Sequence, residues 1–254
     1  MKSLIFAAGL GTRLRPLTDT MPKAMVPIDG RPLISILIEK MIQCGCTEIV
    51  VNVHHFAEQI IDYIKENEGF GIDIKFSDER EKLLETGGGL KKALPLFSDA
   101  ASPILVHNVD ILSNVDLKTF YENSVAASMA ATKYDVGVGA VLLVSERKTS
   151  RYLLFDEANM LVGWTNVTTG QVKSPYPNLD VDKCKKYAFS GIQVFFPHLA
   201  TFMDEWEGSF SIIDFYLSVC DKIPILCNPV SNLRLLDVGK IDVIEEANRF
   251  FRQM

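Results

Sequence analysis

The apolar positions fall into two kinds of pattern, short unbroken runs and longer stretches with a helical repeat, and in the first half they alternate. Leu4 to Ala8, Ile49 to Val53, Ile72 to Phe76 and Ile104 to His107 have the length and residue types of buried strands. Between them, Leu33, Ile36, Leu37 and Met41 in the stretch Pro32 to Cys44 follow helical spacing, with Pro32 suited to a first turn. Ala57 to Glu66 reads as a second amphipathic helix. Ser77 to Gly89 reads as a loop ending in Gly87-Gly88-Gly89, with a helix from about Leu90. Asp116 is placed to cap a helix that begins Leu117 to Tyr121. Strands alternating with helices predict a mostly parallel sheet flanked by helices, an α/β fold.

The second half is richer in strand patterns. Gly139 to Ser145 and Tyr187 to Phe196 read as strands, Tyr152 to Phe155 and Met160 to Trp164 as a hairpin. Ile212 to Cys220 and Ile241 to Phe251 read as helices, the latter with Ile244, Ala247 and Phe251 on one face. The polar stretch Thr165 to Lys186 is expected to be a loop over the site. No repeat, low-complexity segment or linker interrupts the chain, which supports one domain.

Composition narrows the function. The 254 residues are 48% hydrophobic and 23% charged, ordinary for a globular protein that can bury a sizeable core. A net charge of −6 argues against a nucleic-acid surface. Cys44, Cys46, Cys184, Cys220 and Cys227 show no metal-ligand spacing and read as buried thiols of a reducing compartment. No run reaches the roughly twenty apolar residues that span a bilayer, and Arg13 and Arg15 interrupt the first apolar stretch too early for a signal peptide. No membrane association and a cytoplasmic location are expected. His54 and His55, adjacent after a strand, read as edge polar residues.

The chemistry is concentrated after the first strand. Leu4 to Ala8 empties into Gly9-Leu10-Gly11 and a loop carrying Thr12, Arg13, Arg15, Asp19 and Lys23. Open α/β sheets bind ligands at the carboxyl ends of their strands. Small residues there let backbone amides approach an anion, and Arg13 and Lys23 add positive charge, so the loop suits a triphosphate. It is neither familiar phosphate loop. Leu14 stands where the dinucleotide fingerprint has its third glycine, and Gly11 is followed by Thr12-Arg13 rather than Lys-Ser/Thr.

The spelling G-x-G-T-R-L-R-P-L-T followed by P-K-x-x-V-P resembles the signature of the sugar-1-phosphate nucleotidyltransferases, the nucleoside-diphosphate-sugar pyrophosphorylases. Three later segments extend the resemblance. Glu85-Thr86-Gly87-Gly88-Gly89 resembles the loop that contacts the nucleobase, in the version of the enzymes that uridylylate N-acetylmuramate 1-phosphate in cell-wall recycling. Asn108-Val109-Asp110 keeps the aspartate of the Gly-Asp segment that binds Mg²⁺, and Asp237-Val238-Gly239 resembles the D-V-G-T segment that completes the metal site. Ala188-Phe189-Ser190-Gly191-Ile192 resembles the strand lining the acceptor pocket. Ser150-Arg151-Tyr152-Leu153 resembles the Arg-Tyr-Gly segment with Leu153 in place of glycine. The usual Glu-Lys-Pro, whose lysine grips the sugar phosphate, is absent where Trp164-Thr165-Asn166 stands.

The resemblance implies a Rossmann-like, GT-A-like nucleotidyltransferase fold with a smaller β-rich sugar-binding lobe. One domain over 1–254 is expected, with a nucleotide-binding part at about 1–130, the sugar lobe at about 131–200 and a metal-completing part at 201–254. The close of the chain at Met254 is expected to leave out the β-helical acyltransferase domain of longer members. The implied substrates are a nucleoside triphosphate, with UTP favoured, and a sugar 1-phosphate, with N-acetylmuramate 1-phosphate favoured. GTP with a mannose- or heptose-type 1-phosphate is the alternative. The implied nucleotide contacts are Ala7, Ala8, Gly9, Gly11, Thr12, Arg13, Glu85, Gly87, Gly88 and Asn108. Asn166, Ser190 and Gly191 would face the sugar, and Asp110 and Asp237 would hold Mg²⁺. Arg13 would hold the leaving pyrophosphate, while Lys23, expected on an exposed loop, would stabilise the charge at the α-phosphate. A monomer or small homo-oligomer is expected. A glycosyltransferase would normally show Asp-x-Asp, and Asn108-Val109-Asp110 lacks the first acid. A non-catalytic nucleotide-sugar sensor should have lost Arg13, Lys23 or an aspartate, and all are present.

Overall fold

The computed structural model describes residues 1–130 and 137–253. Residues 131–136, where the expected sugar lobe would begin, and Met254 lie outside the described residues. The strands are β1 Lys2–Phe6, β2 Pro27–Ile28, β3 Arg31–Pro32, β4 Glu48–Val53, β5 Asp73–Asp78, β6 Ile104–Asn108 and β7 Ile111–Ser113. They continue with β8 Ala140–Ser145, β9 Arg151–Phe155, β10 Leu161–Asn166, β11 Gln171–Lys173, β12 Lys185–Phe195, β13 Ile225–Pro229 and β14 Leu235–Asp237. The helices are α1 Leu33–Gln43, α2 Ala57–Glu66, α3 Glu85–Ala93, α4 Leu117–Ala130, α5 Ile212–Val219 and α6 Ile244–Phe251.

Among the described residues, ten strands form one sheet in the order β11-β10-β9-β12-β6-β1-β4-β5, with β8 paired to β12 and β13 to β8. The first-half strands β5, β4, β1 and β6 are all parallel, as the alternating pattern predicts. The sheet as a whole is mixed, because β12 runs antiparallel to β6, β8 and β9. Leu4 and Val50 enter one apolar cluster with Leu90, Val106 and Phe215; Ile5 and Val51 enter another with Ile34, Leu37 and Leu105. Helices therefore cover both faces, which is why these strands read as unbroken apolar runs rather than as alternation.

Register sets the site. Phe6 pairs with Asn52 on β4 and with Asn108 on β6, so the three central strands end level. Beside the carboxyl end of β6, where Ile192 of β12 pairs with His107, β12 shifts register against β8 between Phe189 and Gln193, at a bulge that contains Gly191 with φ +72°. A Cβ on Gly191 would lie 2.8 Å from Asn108 Nδ2, so the bulge packs directly against the end of β6, two residues before Asp110.

Three sequence expectations change. The triple glycine is the first half of α3, not a loop before it. Glycine costs a helix roughly 1 kcal/mol against alanine, so close packing has to justify it. The Gly87 amide donates to Phe210 O at 2.8 Å, and a Cβ there would come within 2.3 Å of the Phe210 ring. Thr165 to Lys186 is also more regular than expected: it holds the end of β10, all of β11 and the start of β12. Ile241 to Phe251 divides into a 3₁₀ turn, Ile241–Val243, and α6. Asp116 caps α4 as expected, accepting from the Thr119 amide at 3.0 Å. Cys46, Cys220 and Cys227 are buried while Cys44 and Cys184 are half-buried, and all five are free thiols. Among the described residues no helix is long and apolar enough to cross a membrane.

Candidate active site

The loop after β1 forms one wall of a cavity of about 500 Å³ at the carboxyl ends of β1, β4 and β6. Ala7 to Arg13 line it, with Lys23, Asn52, Glu85, Thr86, Asn108 and Asp110. The amides of Gly9, Leu10 and Gly11 take no protein acceptor among the described residues and remain free for an anion. Gly11 has φ +61°, and a Cβ there would lie 2.9 Å from Thr18 Cγ2 and 3.2 Å from Lys23 Cβ. A side chain at this position would be strained and would displace Lys23.

The amides of Ala7 and Ala8 are already engaged. Both donate to Asn52 Oδ1, at 2.6 and 3.1 Å. Asn52 Nδ2 in turn donates to Glu79 Oε1 at 2.8 Å, and Glu79 Oε2 accepts from the Leu84 amide at 2.9 Å. Asn52 and Glu79 are both buried. Through them the turn after β1 is tied to the segment that starts α3, so the two rims of the cavity hold one spacing. Sequence reasoning missed this pair. Its one signal was Asn52, a polar residue inside the otherwise apolar run Ile49 to Val53.

The charged centre comes from three distant segments. Asp110 immediately precedes β7, Asp237 closes β14, and the β7–β14 ladder sets Asp237 opposite Ile111. The Val238 amide donates to Asp110 O at 2.8 Å and the Val109 amide to Phe6 O at 3.1 Å, which fixes both turns against β1. The Lys23 ammonium donates to Asp110 Oδ2 and lies 3.9 Å from Asp237 Oδ1. Lys23 is only 8% exposed, so the expectation of an exposed loop lysine is corrected: apolar residues of the same loop, Leu14, Ala24 and Val26, are buried and draw it inward. Burial, and next the Asp110 charge, push the Asp237 carboxyl above its usual range; Lys23, Arg13 and Arg147 pull it back. At Gly239 a Cβ would lie 2.7 Å from Asp237 Oδ1 and 3.0 Å from Arg13 Nη2, so the glycine makes room for the guanidinium.

Two neighbouring carboxylates, the charge of Asp110 helping to hold the Asp237 carboxyl above its usual range, make a cation-seeking pair, and their hard oxygens suit Mg²⁺, which takes one or two carboxylates and keeps several waters. The donor set therefore fits the ion. No group of three or more His, Cys, Asp or Glu converges among the described residues, as a dedicated all-protein metal cage would require.

A second cavity, of about 550 Å³, adjoins the first at Ser211, which lines both. Its walls include Arg147, Arg151, Trp164, Asn166, Lys173 and Asp214. Ser211 caps α5, accepting from the Ile213 amide at 3.2 Å, while Thr86 Oγ1 accepts from the Ile212 amide at 3.0 Å. Of the sequence-derived sites, Glu85, Asn108 and the loop residues line the first cavity and Asn166 the second. Gly87 and Gly88 line neither; they are buried against Phe210 and Gly208. Ser190 and Gly191 also line neither, because the bulge turns Ser190 into the interior and Gly191 toward Asn108.

Residues 2–156 match the Nucleotidyl transferase family. An N-acetylmuramate alpha-1-phosphate uridylyltransferase of Neisseria meningitidis is 40% identical over 124 residues, 49% of this chain and 53% of that protein. A mannose-1-phosphate guanyltransferase of Pichia angusta is 39% identical over 140 residues, 53% of this chain and 38% of that protein. The matched stretch thus spans about half or less of these curated relatives. The solved structure of HddC from Yersinia pseudotuberculosis with GMP-PN superposes with a TM-score of 0.72 at 21% identity, covering 98% of this chain and 99% of that one, which establishes the shared fold. With more than half of the sequence inside the family match, and the loop after β1, Lys23 and Asp110 all within it, the chain belongs to the Nucleotidyl transferase family.

Proposed function

We propose that the protein transfers a nucleotidyl group from a nucleoside triphosphate to a sugar 1-phosphate, giving a nucleoside-diphosphate sugar and pyrophosphate, with UTP and N-acetylmuramate 1-phosphate as the best pair. The observation that carries this reading is the Lys23 ammonium set between Asp110 and Asp237, with Lys23 and Asp110 on the wall of the first cavity. The free amides of Gly9 to Gly11 receive the triphosphate, and Arg13 holds the departing pyrophosphate oxygens with its planar fork of donors. Lys23 offsets the charge that builds at the α-phosphate. An oxygen of the sugar phosphate attacks the α-phosphorus as the bond to the β-phosphate oxygen breaks. A phosphate monoester is already a nucleophile at neutral pH, so no side chain has to remove a proton. In keeping with this, no histidine lines the cavity among the described residues: His54 is held at Glu79 O and His107 is buried. Asp110 and Asp237 would hold Mg²⁺, which when bound draws negative charge off the reacting phosphates.

On this reading the nucleotide occupies residues of about 1–130, the sugar about 131–200, and 201–254 completes the metal site within one domain. The five free thiols support a cytoplasmic setting. Pyrophosphate release should require triphosphate, sugar 1-phosphate and Mg²⁺ together. Triphosphate hydrolysis indifferent to the sugar phosphate would refute the reaction class. A second reading, GTP with a mannose- or heptose-type 1-phosphate, has one observation in its favour: the Glu85 carboxylate lines the nucleotide cavity and is an acceptor suited to the N–H groups of guanine. A panel of UTP, GTP, CTP and dTTP against several sugar 1-phosphates decides between them.

A further inference from the structure

The stretch that aligns with the missing Glu-Lys-Pro offers no cation. Trp164 lines the second cavity, and Thr165 is buried with its hydroxyl donating to Gln171 O at 3.2 Å. Asn166 spends its Oδ1 on the Thr168 amide at 3.0 Å. Lys173, opposite Trp164 on the neighbouring strand, is committed elsewhere: its ammonium lies 2.7 Å from Asp214 Oδ1 and 5.4 Å from the centre of the Trp164 ring. Arg147 differs. It follows β8 on the wall of the second cavity, and its guanidinium donates to Phe189 O at 3.2 Å, which aims it without neutralising it.

We propose that Arg147 grips the phosphate of the acceptor, the task the absent lysine leaves open, holding it at the joint between the two cavities. This rests on the transferase reading above. Two observations converge on it. Arg147 is a cation of the acceptor cavity with no carboxylate partner among the described residues. Ser211 joins that cavity to the one holding Asp110, so a phosphate at the joint faces both. With Arg13 and Lys23 on the first cavity and Arg147 on the second, cations stand on both sides of the joint where two phosphate groups have to meet. A guanidinium suits this place, since two parallel N–H donors match two phosphate oxygens and hold the third oriented for attack.

The test is steady-state kinetics of Arg147→Gln and Arg147→Lys with the best acceptor found for the wild type. Arg147→Gln should raise the KM for the sugar 1-phosphate about 10- to 100-fold and leave the KM for the triphosphate within about twofold. Arg147→Lys should recover part of the loss, because it restores the charge but not the fork. Arg147 is exposed, so both variants should unfold at the wild-type urea midpoint. An unchanged acceptor KM in Arg147→Gln, or equal losses for both substrates, would overturn the assignment. A wild type inert toward every sugar 1-phosphate would instead overturn the transferase reading, so the two failures are separable.

Discussion

Replacing Lys23 by methionine, which keeps the length of the side chain and removes its charge, separates the ion pairing of its ammonium from the catalytic role proposed for it. In the protein the ammonium contacts Asp110, whose side chain is 20% exposed, and stands 3.9 Å from Asp237, which is 50% exposed. At that distance a unit pair is worth about 4 kcal/mol at an effective dielectric of about 20 and about 1 kcal/mol in water. The exposure of Asp237 places its share near the lower figure. Without Lys23 the two carboxylates face each other, so Lys23→Met should lose about 1–2 kcal/mol of stability at pH 7, in contrast to the neutral outcome an exposed lysine would give. The sign with pH follows from Asp237. Its folded pKa is raised above 3.8, so its favourable contribution is full below that value and lost as pH rises through the folded pKa. Removing Lys23 raises it further, and the deficit should grow from pH 4 to pH 8. Turnover should fall about 10²- to 10³-fold, the cost of one preorganised charge on a transition state. Mg²⁺ should nonetheless bind the free variant more tightly, about 5- to 30-fold for 1–2 kcal/mol, because the competing ammonium is gone. Pyrophosphate release, urea unfolding and titration calorimetry with Mg²⁺ measure the three quantities. Weaker Mg²⁺ binding together with wild-type turnover would refute the reasoning.

Asp110→Asn and Asp237→Asn should each weaken Mg²⁺ dependence of pyrophosphate release, and the double variant should be little worse than either single one; additive losses would mean that only one touches the ion. Gly87→Ala should cost about 1–3 kcal/mol in urea unfolding, since its Cβ would stand 2.3 Å from the Phe210 ring and force α3 off the 208–210 segment; a neutral change would contradict that packing. His107 is fully buried, which pushes its imidazole down to about 3. Its folded pKa lies below 6.5, so the unfolded chain takes up the proton first, and stability falls on acidification from about pH 6.5 toward 3 by about 1.4 kcal/mol per pH unit from this group. His107→Gln should flatten that slope, and parallel curves for wild type and variant would exclude the imidazole as its source.

The sequence determined the strand–helix alternation and the glycine- and cation-bearing loop after β1 because both are local: period and residue type over five to fifteen positions, and a spacing from Gly9 to Lys23 that closes on itself. It also pointed to Asp110 and Asp237, each marked by a short motif after an apolar run. Pairing was beyond it. That Lys23 is buried between the two aspartates depends on the β7–β14 ladder, which joins segments far apart in the chain. The glycines at 87 and 88 looked like flexible punctuation, whereas their reason lies in Phe210 and Gly208, more than a hundred positions away. Ser190 carries an acceptor-strand spelling, yet the bulge at Gly191 turns it inward, and a shift of register reverses which face a side chain takes. Asn52, Glu79 and Arg147 belong to no motif. Their roles follow from what stands opposite them once the sheet is assembled, and only the tertiary structure decides that.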